Sequence, residues 1–168
     1  MVISHAARED IYDAVALVIE AWRWAYKGIL APEHLDSLSV EERYEKWLAD
    51  FDEGQNSLLL LREEGELLGI CKYGPVRIEG YPGAGEIYAI YLREAAAGKG
   101  YGHALFTRVE EDLLSQGCTG VVLDVLSAND RAIRFYRAHG YEKTGEGVTM
   151  QGGVGYAYDV MYKGFMNV

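Results

Sequence analysis

GEIYAIYLREAAAGKGYGHAL, residues 85–105, changes character twice along its length. Residues 85–92 are apolar with aromatic members and predict a strand. From Gly102 to Gln116, Leu105, Val109 and Leu113 recur at helical spacing on one face. Between the two stand Gly98, Gly100 and Gly102, alternating with Lys99 and Tyr101. Glycines weaken backbone order, so a cluster at the mouth of a helix calls for a reason. A strand, a glycine turn and a helix start gather unpaired N–H groups at the positive end of the helix dipole, and no Cβ blocks an approaching phosphate. The stretch therefore predicts an anion site, against the simpler alternative of an ordinary strand-to-helix connection. The Walker pattern is absent because Gly98-Lys99 is followed by Gly100, and the dinucleotide fingerprint fails at His103.

Outward from this junction the pattern continues on both sides. Upstream, SLLLLREEGELLGICKYGPVRI reads as two strands joined by a tight turn near Glu64-Gly65. Downstream, GVVLDVL (120–126) is a continuous apolar run, as expected of a strand covered on both faces. NDRAIRFYRAHG is a short helix closed by Gly140. GYEKTGEG and VGYAYDVMYKGF then read as two antiparallel strands, and the tyrosines of the second leave a homodimer contact open. At the other end, Val2–His5 suits a first strand. Residues 10–25 carry Ile11, Ala14, Val15, Val18, Ile19 and Trp22 on one helical face. A loop containing Pro32 leads to a second helix, opened by a capping box at Ser39 and Glu42, with Trp47, Leu48 and Phe51 as its buried stripe. The sum is an α/β chain, an α+β mixed sheet in one domain over 1–168.

The chain has 168 residues, enough for a core without disulfide or metal staples, and a net charge of −10. That charge argues against nucleic acid as the main partner, because phosphate binding needs clustered cations. No apolar run is long enough to span a membrane, and the first residues do not form a secretory signal. Cys71 and Cys118 match no metal spacing, and His34, His103 and His139 read as isolated. No metal is expected, and free thiols point to the cytoplasm.

IYLREAAAGKGYGHAL, followed by VLDVLSANDRAIRFYRAHGYEKTGE, resembles the Gcn5-related N-acetyltransferase (GNAT) superfamily, well over roughly 85–145 and loosely elsewhere. The resemblance implies a mostly antiparallel central sheet flanked by helices, and acetyl-CoA as co-substrate. The family turn, Gln/Arg-x-x-Gly-x-Gly/Ala, places Gly100 and Gly102 on the glycine positions and Ala97 where Gln or Arg is usual. It implies that residues 97–103 (Ala97, Gly98, Lys99, Gly100, Tyr101, Gly102 and His103) hold a pyrophosphate. It also implies that Ile90, Tyr91 and Leu92 pair with the pantetheine arm, with the Leu92 N–H facing the thioester oxygen. The second block, Asn129-x-x-Ala132-x-x-Phe135-Tyr136, implies an Asn beside the arm and a Tyr beside the sulfur.

Acetyl transfer asks for a neutral amine, a donor to the thioester oxygen and a proton for the thiolate. By the resemblance, Glu86 is the candidate base and Tyr136 the candidate acid. EAWRWAYKGILAPEHLDSL resembles a subset with Trp-x-x-x-Tyr-x-Gly at Trp22, Tyr26 and Gly28. This puts Trp24 and Tyr26 in the acceptor wall, against the alternative of a core tryptophan pair. The expected activity is transfer of acetyl from acetyl-CoA to a primary amine of a small molecule or a peptide N-terminus, by direct attack in a ternary complex. The alternative is a non-catalytic acyl-CoA-binding module of the same fold, which the departure at Ala97 favours. The acidic balance of the chain mildly favours a small cationic acceptor.

Overall fold

Leu58, Leu59, Leu60 and Leu61 are all buried, yet they divide alternately between two cores. Leu59 and Leu61 face one side of a sheet, and Leu58 and Leu60 face the other. Successive strand side chains point to opposite faces, so an unbroken leucine run needs cover on both. The computed structural model, which describes residues 1–166, supplies that cover with helices. The last two positions of the expected 1–168 extent lie outside the described residues.

The strands are β1 (Val2–His5), β2 (Ser57–Glu63), β3 (Glu66–Pro75), β4 (Gly85–Leu92), β5 (Gly120–Leu126), β6 (Glu142–Gln151) and β7 (Val154–Gly164). They form one sheet in the order β1-β2-β3-β4-β5-β7-β6, in which β4 and β5 are parallel and every other neighbouring pair is antiparallel. Helix α1 (Ile11–Ala25) packs its Ile11, Val15 and Val18 onto one face. Helices α4 (Tyr101–Ser115) and α5 (Asp130–Ala138) cover the other through Leu105, Phe106, Val109 and Ile133. The β2–β3 hairpin turns at Glu64 and Gly65, both with positive φ, as a two-residue loop requires.

Two local expectations change. The Pro32 region is not a plain loop: Pro32–Asp36 forms a one-turn helix, α2, with proline in its first turn and Leu35 buried. In α3 (Val40–Glu53), Ser39 Oγ accepts from the Glu42 N–H at 3.3 Å. However, Trp47, Leu48 and Phe51 are only partly buried, because α3 is an outer helix whose nearest helical neighbour is α1. β7 lies between β5 and β6 and is an inner strand of the sheet. The sheet edges are β1 and β6.

One irregularity positions the site. Ile87 and Ile90 belong to the same core, although an odd spacing would put them on opposite faces. The register of β4 against β3 jumps from Lys72↔Ala89 to Tyr73↔Ile87, so Tyr88 is an extra, bulged residue. Beside this bulge β4 parts from β5. The two strands pair only at Gly85↔Val121 and Glu86↔Val122.

Candidate active site

Where β4 and β5 part, a cleft of about 910 Å³ opens. It runs from Tyr26 past both strands to the starts of α4 and α5, with Thr149, Gln151 and Tyr158 on its far wall. Backbone alternation decides which β4 groups face it. The Arg93 N–H donates to Leu68 O at 2.9 Å, so Arg93 and Leu68 are a hydrogen-bonded pair. Such pairs alternate in an antiparallel ladder. Tyr91, opposite Ile70, is therefore bonded to β3, while Ile90 and Leu92 turn their N–H and C=O groups toward the parted side. The Leu92 carbonyl already accepts from the Trp24 indole N–H at 3.2 Å. The Leu92 N–H and both Ile90 groups have no partner among the described residues. Of the three residues expected to pair with an arm, Tyr91 does not present its main chain.

At the glycine turn, Gly98 and Gly100 have positive φ of 75° and 87°, which a residue with a Cβ rarely adopts. No atom lies within 4 Å of where their Cβ would be, so the space above them is open. The first intrahelical bond of α4 runs from the Ala104 N–H to Gly100 O, leaving the amides before it without helical partners. Among the described residues no group accepts from the N–H of residues 98–103. The Ala97 N–H is different: it donates to Glu94 O. Lys99 and Tyr101 do not line the cleft, and the Tyr101 hydroxyl binds Glu63 instead. These two residues offer the cleft only main chain. Gly102 is needed for packing, since a Cβ there would stand 3.3 Å from Leu92 and 3.5 Å from Phe135.

From α5, Asn129 caps the helix, its Oδ1 accepting from the Ala132 N–H at 3.2 Å. That leaves its Nδ2 group without a partner among the described residues. Phe135 packs edge-on against Phe106 with ring centroids 5.4 Å apart. Tyr136 lines the cleft, is 8% exposed, and has no hydrogen bond to its hydroxyl among the described residues. Burial pushes its phenol well above the ordinary range. His103 and His139, read as isolated in sequence, are partners: Nδ1 of His103 lies 2.8 Å from Nε2 of His139. The Phe135 carbonyl sits 2.8 Å from His139 Nδ1 and can only accept, so that nitrogen carries the hydrogen. In neutral rings, His103 therefore donates to His139 through Nδ1 and leaves its own Nε2 free at the cleft mouth.

The expected base is placed differently. Glu86 is 3% exposed and does not line the cleft. Its carboxylate accepts from the Arg77 N–H at 2.6 Å, the Arg77 guanidinium at 3.0 Å and the Ile78 N–H at 3.3 Å. With its oxygens engaged, Glu86 ties down the loop before β4. Glu86→Gln accordingly lowers unfolding free energy by about 2 kcal/mol, the scale of a charge-assisted bond. Urea melts check this, and the pH–rate profile keeps its acid limb.

A carboxylate that does line the cleft is Asp124, which sequence reading passed over; Asp130, in the first turn of α5, lines it too. Asp124 is the exposed member of an otherwise buried run, Val121–Val125. Its one signal in sequence was a lone charge inside GVVLDVL. Partial desolvation, and then repulsion from nearby Glu86, raise its carboxyl above the ordinary value.

Trp24 and Tyr26 both line the cleft but do different things. Trp24 bridges the Leu92 carbonyl and the Arg131 guanidinium, which lies 5.0 Å from its ring centroid. Tyr26 Oη lies 3.0 Å from Tyr91 Oη, and its ring stands edge-on to Trp22. The loop after α1 is roofed by the β6–β7 hairpin: the Ala31 N–H donates to Tyr156 Oη, and Gly152 abuts His34.

The model of the acetyltransferase (GNAT) family matches residues 17–141. An uncharacterized N-acetyltransferase, YuaI, of Bacillus subtilis is 33% identical over 144 residues, covering 86% of this chain and 82% of its own. The spermidine N(1)-acetyltransferase of Thermoplasma acidophilum is 25% identical over 136 residues, covering 80% of this chain and 83% of its own. The crystal structure of PaiA N-acetyltransferase from the same organism, in complex with coenzyme A, superposes with a TM-score of 0.78 at 22% identity. It covers 98% of this chain and 100% of its own. With the family match over most of the chain and a relative at 33% identity, the chain belongs to the acetyltransferase (GNAT) family as an acetyl-CoA-dependent N-acetyltransferase.

Proposed function

We propose that the chain moves acetyl from acetyl-CoA directly to a primary amine, of a small molecule or a peptide N-terminus, with both substrates held together. The observation that carries this is the parting of β4 from β5 beside free amides at the start of α4. Acetyl-CoA, when bound, supplies the activated thioester and an anionic diphosphate. The N–H groups of residues 98–103 suit that diphosphate, aided by the positive end of α4. Ile90 and Leu92 offer main-chain groups to the pantetheine arm in the manner of an added strand, with Asn129 Nδ2 beside it. Gly102, Ala132 and Phe135 form the apolar wall.

Orientation supplies much of the rate when both partners are held in one cleft. The Leu92 N–H stabilises the thioester oxygen as charge gathers on it. Asp124, directly or through water, takes the proton that the amine must lose, and its raised pKa makes it the stronger base. Tyr136 Oη gives a proton to the departing sulfur. Free Cys71 and Cys118 suit a reducing, cytoplasmic setting.

The test follows release of CoA thiol against a panel of amines. Thiol appears only when both acetyl-CoA and an amine are present, and double-reciprocal plots intersect. Parallel plots would mean a covalent acetyl-enzyme and overturn direct attack.

A further inference from the structure

A second recess of about 530 Å³ lies on the α1/α3 face of the sheet. It adjoins the cleft at the bulge, since Trp22, Tyr88, Ala89 and Tyr91 line both. Its lining departs from the acidic balance of the chain. Arg43, Lys46, Lys72 and Arg77 face it, against Glu42 and Asp50. Asp50 is taken by Lys72 at 2.7 Å, and Arg77 is held by Glu86. Arg43 is not matched: among the described residues it enters no ion pair, and no side-chain hydrogen bond engages its guanidinium. It is half-buried and lies over Trp22, 4.7 Å from the ring centroid. Lys46 is likewise unpaired among the described residues.

Two further polar atoms of the residues lining this recess have no partner among the described residues. Trp22 Nε1 and His34 Nε2 are both buried. The Trp22 N–H lies near Tyr91 Oη without completing a bond to it, and that hydroxyl already meets Tyr26. Buried donors without acceptors are rare in folded proteins, because each carries its full desolvation penalty. An unpaired guanidinium that lines a recess is a donor lacking an anion. Arginine's planar fork matches a carboxylate in geometry as well as charge.

Resting on the transferase reading above, we infer that this recess holds a carboxylate of the acceptor through Arg43. The acceptors are therefore free amino acids or amino-acid-like amines rather than polyamines. The attacking amine reaches the cleft past the bulge while the carboxylate stays behind on α3. This reverses the weak preference for a cationic acceptor that net charge alone suggested, because the local field at the bulge is positive where the global one is negative.

The experiment measures thiol release at saturating acetyl-CoA with free α- and ω-amino acids, the corresponding amides, and a polyamine. Wild type favours an amino acid over its own amide by about tenfold or more in kcat/KM, as loss of a charge-assisted contact requires. Arg43→Gln removes most of that preference, chiefly through the KM of the amino acid, and leaves the KM of acetyl-CoA unchanged. The acid–amide comparison on wild type does not depend on how the variant folds. Equal use of acid and amide overturns the inference, as does a preference that survives Arg43→Gln. Turnover of the polyamine with amino acids untouched overturns it while the transferase reading stands. Failure of every amine to release thiol from bound acetyl-CoA overturns the transferase reading itself.

Discussion

Tyr136→Phe turns over about a hundredfold more slowly than wild type, within the range for loss of a general acid, and binds acetyl-CoA with unchanged affinity. The reason lies in what the hydroxyl lacks. It faces the cleft from a buried ring and has no hydrogen-bond partner among the described residues. Burial is the main cause that lifts its phenol well above the ordinary range, so it stays protonated, and able to donate, across the working pH. Phenylalanine keeps the packing against Phe135 and Phe106, whose ring centroids lie 5.7 and 5.8 Å away. Removing an unpaired hydroxyl orphans no neighbour, so the denaturation midpoint does not fall. Thiol release, calorimetric titration with acetyl-CoA and a urea melt separate the effects. Equal turnover would make Tyr136 a packing residue and nothing more.

Asp124→Asn carries the second large effect, and it has two signs. Turnover falls about a hundredfold, the scale of general-base catalysis, and the acid limb of the pH–rate profile disappears. In wild type that limb lies above the ordinary carboxylate range, because desolvation and Glu86 raise the Asp124 pKa and the base is lost as pH falls through it. Stability moves the other way. A carboxyl whose pKa is raised on folding prefers its neutral form there. Its ionisation weakens the fold as pH rises from the unfolded value through the folded one. Asn cannot ionise, so the variant melts higher than wild type at neutral pH, and the gain fades as pH falls toward the ordinary carboxylate range. A more stable, less active variant is the usual mark of a residue kept for chemistry. A lower melting temperature at neutral pH, or a surviving acid limb, would remove Asp124 from this role.

The fate of the two acidic candidates shows where sequence reading reaches its limit. Glu86 and Asp124 stand on neighbouring strands, and their local sequences do not say which one a substrate meets. Glu86 is met by the backbone of Arg77 and Ile78, nine and eight positions earlier, because the loop before β4 folds back over it. Asp124 is left open because β4 has parted from β5 at that level. Arg43 gives the same lesson: on α3 it reads as one surface cation among several, and only the fold lays it against Trp22 from α1. The histidine pair joins positions 103 and 139, whose separation in sequence hides a 2.8 Å contact.

Periodicity, glycine placement and capping chemistry are local, and they carried the order of strands and helices, the hairpin at Glu64-Gly65, the start of α3 and the open amides of residues 98–103. Each depends on residues within a few positions of one another, so the chain states it directly. The bulge at Tyr88, the parting of the parallel strands, the placing of Asp124 at the cleft and Glu86 away from it, and the laying of Arg43 against Trp22 belong to tertiary structure. They arise from the register between strands and the packing of distant helices. Whether a polar atom finds a partner depends on neighbours brought from elsewhere in the chain.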